Sequence, residues 1–150
     1  MNTIQTRHNL FETNSSSTHS ITIIESKLGD VLETLYPNKD NKIVIGGYDF
    51  GLSVHEYYGA EAKASYCAIY IRDWIQKKEK DKDRYLSVLI KTIQDQVGAP
   101  LEVVLPSENT GYIDHQSVEN RDIDYLFEVP ELLREFIFNP KSVLVTKSDN

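Results

Sequence analysis

Between Arg7 and Ser20 the chain reads Arg7-His8-Asn9-Leu10-Phe11-Glu12-Thr13-Asn14-Ser15-Ser16-Ser17-Thr18-His19-Ser20, a guanidinium, two imidazoles, a carboxylate, two amides and a run of hydroxyls around one short apolar pair. Hydroxyls are small neutral donors that crowd an anion without burying charge. Ser15, Ser16 and Ser17, with Asn14 and nearby backbone N–H groups, therefore suit phosphate or carboxylate oxygens, and Arg7 supplies a bidentate clamp. Glu12 and His19 can exchange a proton or hold a metal near neutral pH. The bland alternative is a loop whose Ser, Thr and Asn side chains cap local backbone groups.

A second constellation is Gly111-Tyr112-Ile113-Asp114-His115-Gln116-Ser117. In extended chain Asp114 and His115 point to opposite faces, so only one of them faces a given cleft. His115 is a candidate acid or metal ligand, and Asp114 and Gln116 are candidate ligand-binding groups, if this segment meets the first one around a common ligand. Two histidines plus carboxylates would hold Mn, Fe or Zn, yet the spacings match no zinc signature and name no cofactor. The bland alternative is an exposed acid beside a histidine bonded to a turn.

Named motifs fail. The glycines make neither a G-x-x-x-x-G-K-[ST] loop nor a G-x-G-x-x-G fingerprint. His115-Gln116-Ser117 fits the H-x-[ST] half-motif of two-histidine phosphoesterases, but His19-Ser20-Ile21 does not. No G-x-S-x-G elbow is present. Cys67, mid-helix on an apolar face, reads as core. His8 falls where an N-terminal strand would run, and His55 in a loop before a long helix; both read as structural or surface residues. Tyr48, Tyr57 and Tyr58 either wall a cleft or pack.

The elements that must position these groups follow from periodicity. Ile21-Thr22-Ile23-Ile24 reads as a buried strand, which would put the polar run on a rigid edge. Leu28, Val31, Leu32 and Leu35 recur at helical spacing, predicting a helix over 27–36 that stops before Pro37. Lys42-Ile43-Val44-Ile45 reads as a strand ended by Gly46-Gly47, with 48–53 returning as a hairpin arm. A long helix spans about 59–78, and after a solvated corner at 77–84 the stripe Leu86, Leu89, Ile90, Ile93, Val97 makes its antiparallel partner. Strands at 101–105 and 142–146, a short helical piece within 118–127 and a helix over 131–138 complete the pattern. The expectation is one α+β domain over 1–150, a mixed, mostly antiparallel sheet backed by helices including a central helical hairpin.

The 150 residues suffice to bury about two thirds of the unfolded surface in one core. With 40% hydrophobic and 26% charged residues the chain belongs to the globular class and should fold alone or as a small oligomer. A single cysteine excludes an intramolecular disulfide and points to a reducing compartment. No run of 18 apolar residues and no leader-like N-terminus is present, so the expectation is a soluble intracellular protein without a membrane partner. Net charge is −7, and residues 101–150 hold ten Asp or Glu against four Lys or Arg. Such a surface is repelled by phosphate backbones, which argues against non-specific nucleic-acid binding, and it suits a basic protein partner.

Phe11 to Ser20, Tyr112 to Ser117 and the ending Thr146-Lys147-Ser148-Asp149-Asn150 resemble parts of an uncharacterised family of small proteins from tailed phages and phage-derived bacterial genes. The resemblance implies an accessory protein acting in the host cytoplasm and transfers no catalytic assignment. Three functions are then expected to compete. In one, the chain binds a phosphate-bearing small molecule such as a nucleotide, countering a host defence signal. In another, a metal-assisted phosphoryl or nucleotidyl enzyme uses Glu12 or His19 as base and His115 as acid or ligand. In the last, the acidic C-terminal third docks on a host protein.

Overall fold

Ile21 and Ile23 alternate with Ser20 and Thr22, a pattern that gives a strand one dry face. The computed structural model describes residues 7–13, 17–51, 54–73, 79–113 and 121–148, with the backbone alone for 7–13, 17, 18, 121, 122, 147 and 148. Its elements run β1 (Arg7–Thr13), β2 (Ser17–Ile24), β3 (Ile43–Val44), β4 (Asp49–Phe50), β5 (His55–Tyr57), α1 (Ala60–Asp73), α2 (Glu79–Val97), β6 (Val103–Val104), β7 (Tyr112–Ile113), α3 (Arg121–Asp124), a 3-10 turn (Tyr125–Glu128), α4 (Pro130–Phe138) and β8 (Val143–Ser148). The fold is α+β. The main sheet has order β1-β2-β8-β5 with every pair antiparallel, and two short parallel pairs, β3-β6 and β4-β7, stand apart from it.

The dry face of the sheet, Ile21, Ile23 and Leu144, is completely buried, and α4 packs against β2 while touching α1 and α2. Every residue of α1 from Ala60 to Ile71 except Glu61 is buried, as its two apolar faces predict. α2 packs on α1 and α4 and buries Tyr85, Leu89, Thr92 and Ile93, and the Lys82 ammonium reaches the Arg72 carbonyl near the end of α1. Burial pushes the Cys67 thiol up from its ordinary range. Cys67 is therefore expected to ignore a thiol reagent in the native protein and to label fully in denaturant; rapid native labelling would contradict this placement.

Four expectations change. Residues 27–36 form no helix, because the Asp30 carboxylate and N–H close a turn on the Lys27 N–H and carbonyl, and the spacing that suggested a helix leaves Leu28 and Val31 exposed. β3 and β4 do not form a hairpin with each other. Gly46 instead brings the backbone against Pro106, where a Cβ would lie 2.6 Å from the proline Cβ, so the glycine serves close approach to the segment after β6. His55 lies in a strand rather than a loop. The charged corner at 77–84 is, from Glu79 on, the start of α2.

Candidate functional site

The polar run Arg7–Ser20 forms two strands of the main sheet, with residues 14–16 between them. β1 and β2 pair Arg7 with Ile24, Glu12 with His19 and Thr13 with Thr18, and β2 pairs His19 with Thr146, itself paired with His55. One row across the sheet therefore carries positions 12, 19, 146 and 55. Paired positions share a face, so position 12 shares its face of the sheet with position 19. Arg7 pairs with Ile24 on the opposite face, five residues and roughly 17 Å along the strand from Glu12. The register thus does not bring Arg7 and Glu12 together, and Ser17 sits at the end of β2 opposite Ser148.

His19 is 2% exposed, and its Nδ1 shares a 3.1 Å hydrogen bond with the Tyr66 hydroxyl from α1. The rings meet edge to face at 5.8 Å. Tyr66 continues to Phe50 at 5.1 Å, and Phe50 to Tyr57 at the same distance, forming an aromatic chain beneath the end of the sheet. Burial raises the Tyr57 phenol, and a hydrogen bond to Thr146 pulls it back. Tyr48 stacks on Phe50 and donates to the exposed Glu61 at 2.9 Å; burial and that carboxylate push it up to about 12. These tyrosines pack on one another, and Tyr58 stays half exposed.

The second segment begins at this same cluster. β7 pairs Tyr112 with Asp49 and Ile113 with Phe50, the ring that touches Tyr66. At the other end of 114–120, α3 packs against β1. The described residues on either side of 114–120 are thus Ile113, paired with Phe50 beside Tyr66, and α3, packed against β1. Asn14, Ser15, Ser16, Asp114, His115 and Gln116 themselves lie outside the described residues. Among the described residues no group of three His, Cys, Asp or Glu side chains is placed to hold a metal, and no helix is long and apolar enough to cross a membrane.

Two features escaped the sequence reading. Tyr66 looked like a core filler and is the hydrogen-bond partner of His19; a tyrosine on a wholly buried helix face, needing a partner for its hydroxyl, was the available signal. At the far end of β2 lies a buried polar knot. The Lys63 ammonium, fully buried, donates to the Asn139 and Ser142 carbonyls at 2.9 Å each, and burial lowers its pKa to about 8. Asn139 donates to the Ile24 carbonyl, and Glu135 accepts the Ser26 N–H and hydroxyl at 2.7 Å.

The acidic C-terminal third is partly engaged within the fold. Asp124 accepts the Tyr70 hydroxyl at 2.7 Å, and Glu128 takes the Arg84 guanidinium at 3.1 Å and the Tyr85 hydroxyl. These carboxylates tie α3 and the 3-10 turn to α1 and α2. Neutralising them would loosen the fold before it tested any partner. Comparison of the chain with protein-family models, with curated proteins and with solved structures finds no match.

Proposed function

We propose that this chain is a phage-type accessory protein of the host cytoplasm that binds a phosphate-bearing small molecule, a nucleotide being the class in view, where residues 14–17 join β1 and β2. Ser15, Ser16, Ser17 and Asn14 donate to the phosphate, and Asp114, His115 and Gln116 complete the site. The observation that supports this most is the departure of the second segment from Ile113, beside the Phe50–Tyr66–His19 chain, with α3 returning against β1. Arg7, on the other face of β1, is not part of this arrangement. His19, buried against Tyr66, orients the end of β2 rather than meeting solvent.

The test is a thermal shift with nucleoside mono-, di- and triphosphates and with inorganic phosphate. A ligand at 100 times its Kd stabilises by about 2.7 kcal/mol, or roughly 5–10 °C for a chain of this size. The shift should vanish in Ser16→Ala, which changes no buried group among the described residues. His19→Ala would empty part of the core and confuse loss of ligand with loss of fold. No shift with any of these ligands ends the proposal. Ligand recovered intact after denaturation marks a binder, and altered ligand marks the phosphoryl or nucleotidyl enzyme.

A further inference from the structure

β3 exposes an open backbone edge inside an acid-rimmed groove. The bonds from β3 to β6 leave from alternate positions, the Ile43 N–H to the Glu102 carbonyl at 2.8 Å and the Ile45 N–H to the Val104 carbonyl at 3.1 Å. Alternation turns the Val44 N–H and C=O to the opposite edge, where no strand pairs among the described residues. On that edge the Lys42 carbonyl accepts the Asn38 N–H at 2.8 Å, and beyond this bond the arm at 33–36 parts from β3. The gap is a cavity of about 370 Å³ floored by the start of α1. Leu35 and Ile43 form dry walls, while Val44 is 49% and Tyr36 81% exposed at the rim.

The charge of this groove has one sign. Glu33 and Glu61, both exposed, line it, and no Lys or Arg does. The nearby Lys63 ammonium is buried and committed to the Asn139 and Ser142 carbonyls. The N-terminus of α1 contributes about half a positive charge, which the two carboxylates outweigh.

We propose that the groove takes an extended segment of a partner protein with alternating apolar and basic side chains. Its backbone pairs with the Val44 N–H and C=O and adds a strand to β3. Its apolar side chains rest on Leu35 and Ile43, and its Lys or Arg groups meet Glu33 and Glu61. An exposed strand edge is a template for such addition, and the lysine beside it, Lys42, is turned to Glu102 at 3.8 Å rather than lining the groove. This interaction stands independently of the small-molecule site and lies away from the acidic C-terminal third.

The test is fluorescence anisotropy of labelled acetyl-Lys-Val-Lys-Val-Lys-amide on the full chain, beside the same peptide with Glu for Lys. Saturable binding of the basic peptide is expected, about 10-fold or more tighter than the acidic one. Val44→Pro takes no N–H from the β3-β6 ladder while removing the one that faces the groove, and should weaken binding about 10-fold. Glu33→Gln with Glu61→Gln should weaken it by a similar factor. Equal affinity for both peptides, or affinity unchanged in both variants, reduces the binding to generic attraction by the net charge and overturns the proposal. If melting shows Val44→Pro to be unfolded, the Gln variant decides alone: unchanged binding in it rejects the groove.

Discussion

Gly111→Ala is expected to lower Tm by roughly 6–16 °C, corresponding to about 3–4 kcal/mol in a chain of this size. Gly111 adopts φ +73°, a left-handed conformation that costs an L residue about 1–2 kcal/mol. A Cβ there would also lie 2.7 Å from the Tyr48 carbonyl oxygen and 2.7 Å from the Ile69 Cδ1. The isoleucine tip can turn away, but the carbonyl cannot. It accepts the Tyr112 N–H at 3.0 Å, while the Gly111 carbonyl is itself held by Arg72 at 2.6 Å. Relief requires β7 to part from β4, which moves the root of residues 114–117.

Gly98→Ala is the control for this clash. Gly98 has φ +85° and nothing within 4 Å of its would-be Cβ, so that variant carries the conformational strain alone. Calorimetry or a denaturant melt should show Gly111→Ala clearly the less stable of the two. Equal melting would mean that no close approach exists at Gly111. If residues 114–117 contribute to ligand binding, Gly111→Ala should also shrink any nucleotide-induced shift while Gly98→Ala keeps it.

Helices α1, α2 and α4 were legible because a stripe at 3.6-residue spacing repeats over several turns and caps mark its ends, such as Pro130 at the start of α4 and Gly98 after α2. Residues 27–36 misled because four leucines and valines at helical spacing weigh less than one local turn. Nothing local identifies the partner of a two-residue strand: Val44 meets Val104 across some sixty residues, and tertiary packing alone decides that pairing. The N-terminal strand expected around His8 is β1, although it carries one apolar residue on the face it shares with His19 and its alternation alone sets no bounds. The two halves of the candidate site were nameable from hydroxyl, imidazole and carboxylate density. Their common neighbour Tyr66 was not, since a tyrosine in an apolar stripe looks the same whether its hydroxyl caps water or an imidazole.

Lys63, a lysine fully buried in α1, carries the other large expected effect. Lys63→Ala should cost about 2–4 kcal/mol, lowering Tm by roughly 5–15 °C. The alanine leaves the volume of a four-carbon stem empty beside Phe136, whose ring lies 5.7 Å from the ammonium. It also takes from the Ser142 carbonyl a donor at 2.9 Å, whereas the Asn139 carbonyl keeps the Ser142 N–H at 3.0 Å. Lys63→Met fills the volume, ends the burial of a charge and loses only the two hydrogen bonds, so its cost should be about 1–2 kcal/mol. The two variants separate packing from polarity.

The pH dependence supplies the sign. Burial lowers the Lys63 pKa from 10.5 to about 8, so between these values the unfolded chain binds a proton that the folded chain has released. Stability rises with pH wherever the unfolded state binds more protons, so this group's penalty is full below pH 8 and eases as pH climbs. Tyr48 and Tyr85, pushed from 10.0 to about 12, act in the opposite sense once unfolded tyrosines ionise above pH 10. The buried Cys67 thiol, raised from 9.0, also opposes the lysine above that pH, so the lysine contribution is read between pH 8 and 10 as a difference from a variant that keeps Cys67. Denaturant melts across that window should show the wild-type chain gaining stability relative to Lys63→Met, whose corresponding slope is absent. Parallel curves for the two would place a hydrated ammonium at position 63 and undo the buried contact that joins α1 to the turn leading into β8.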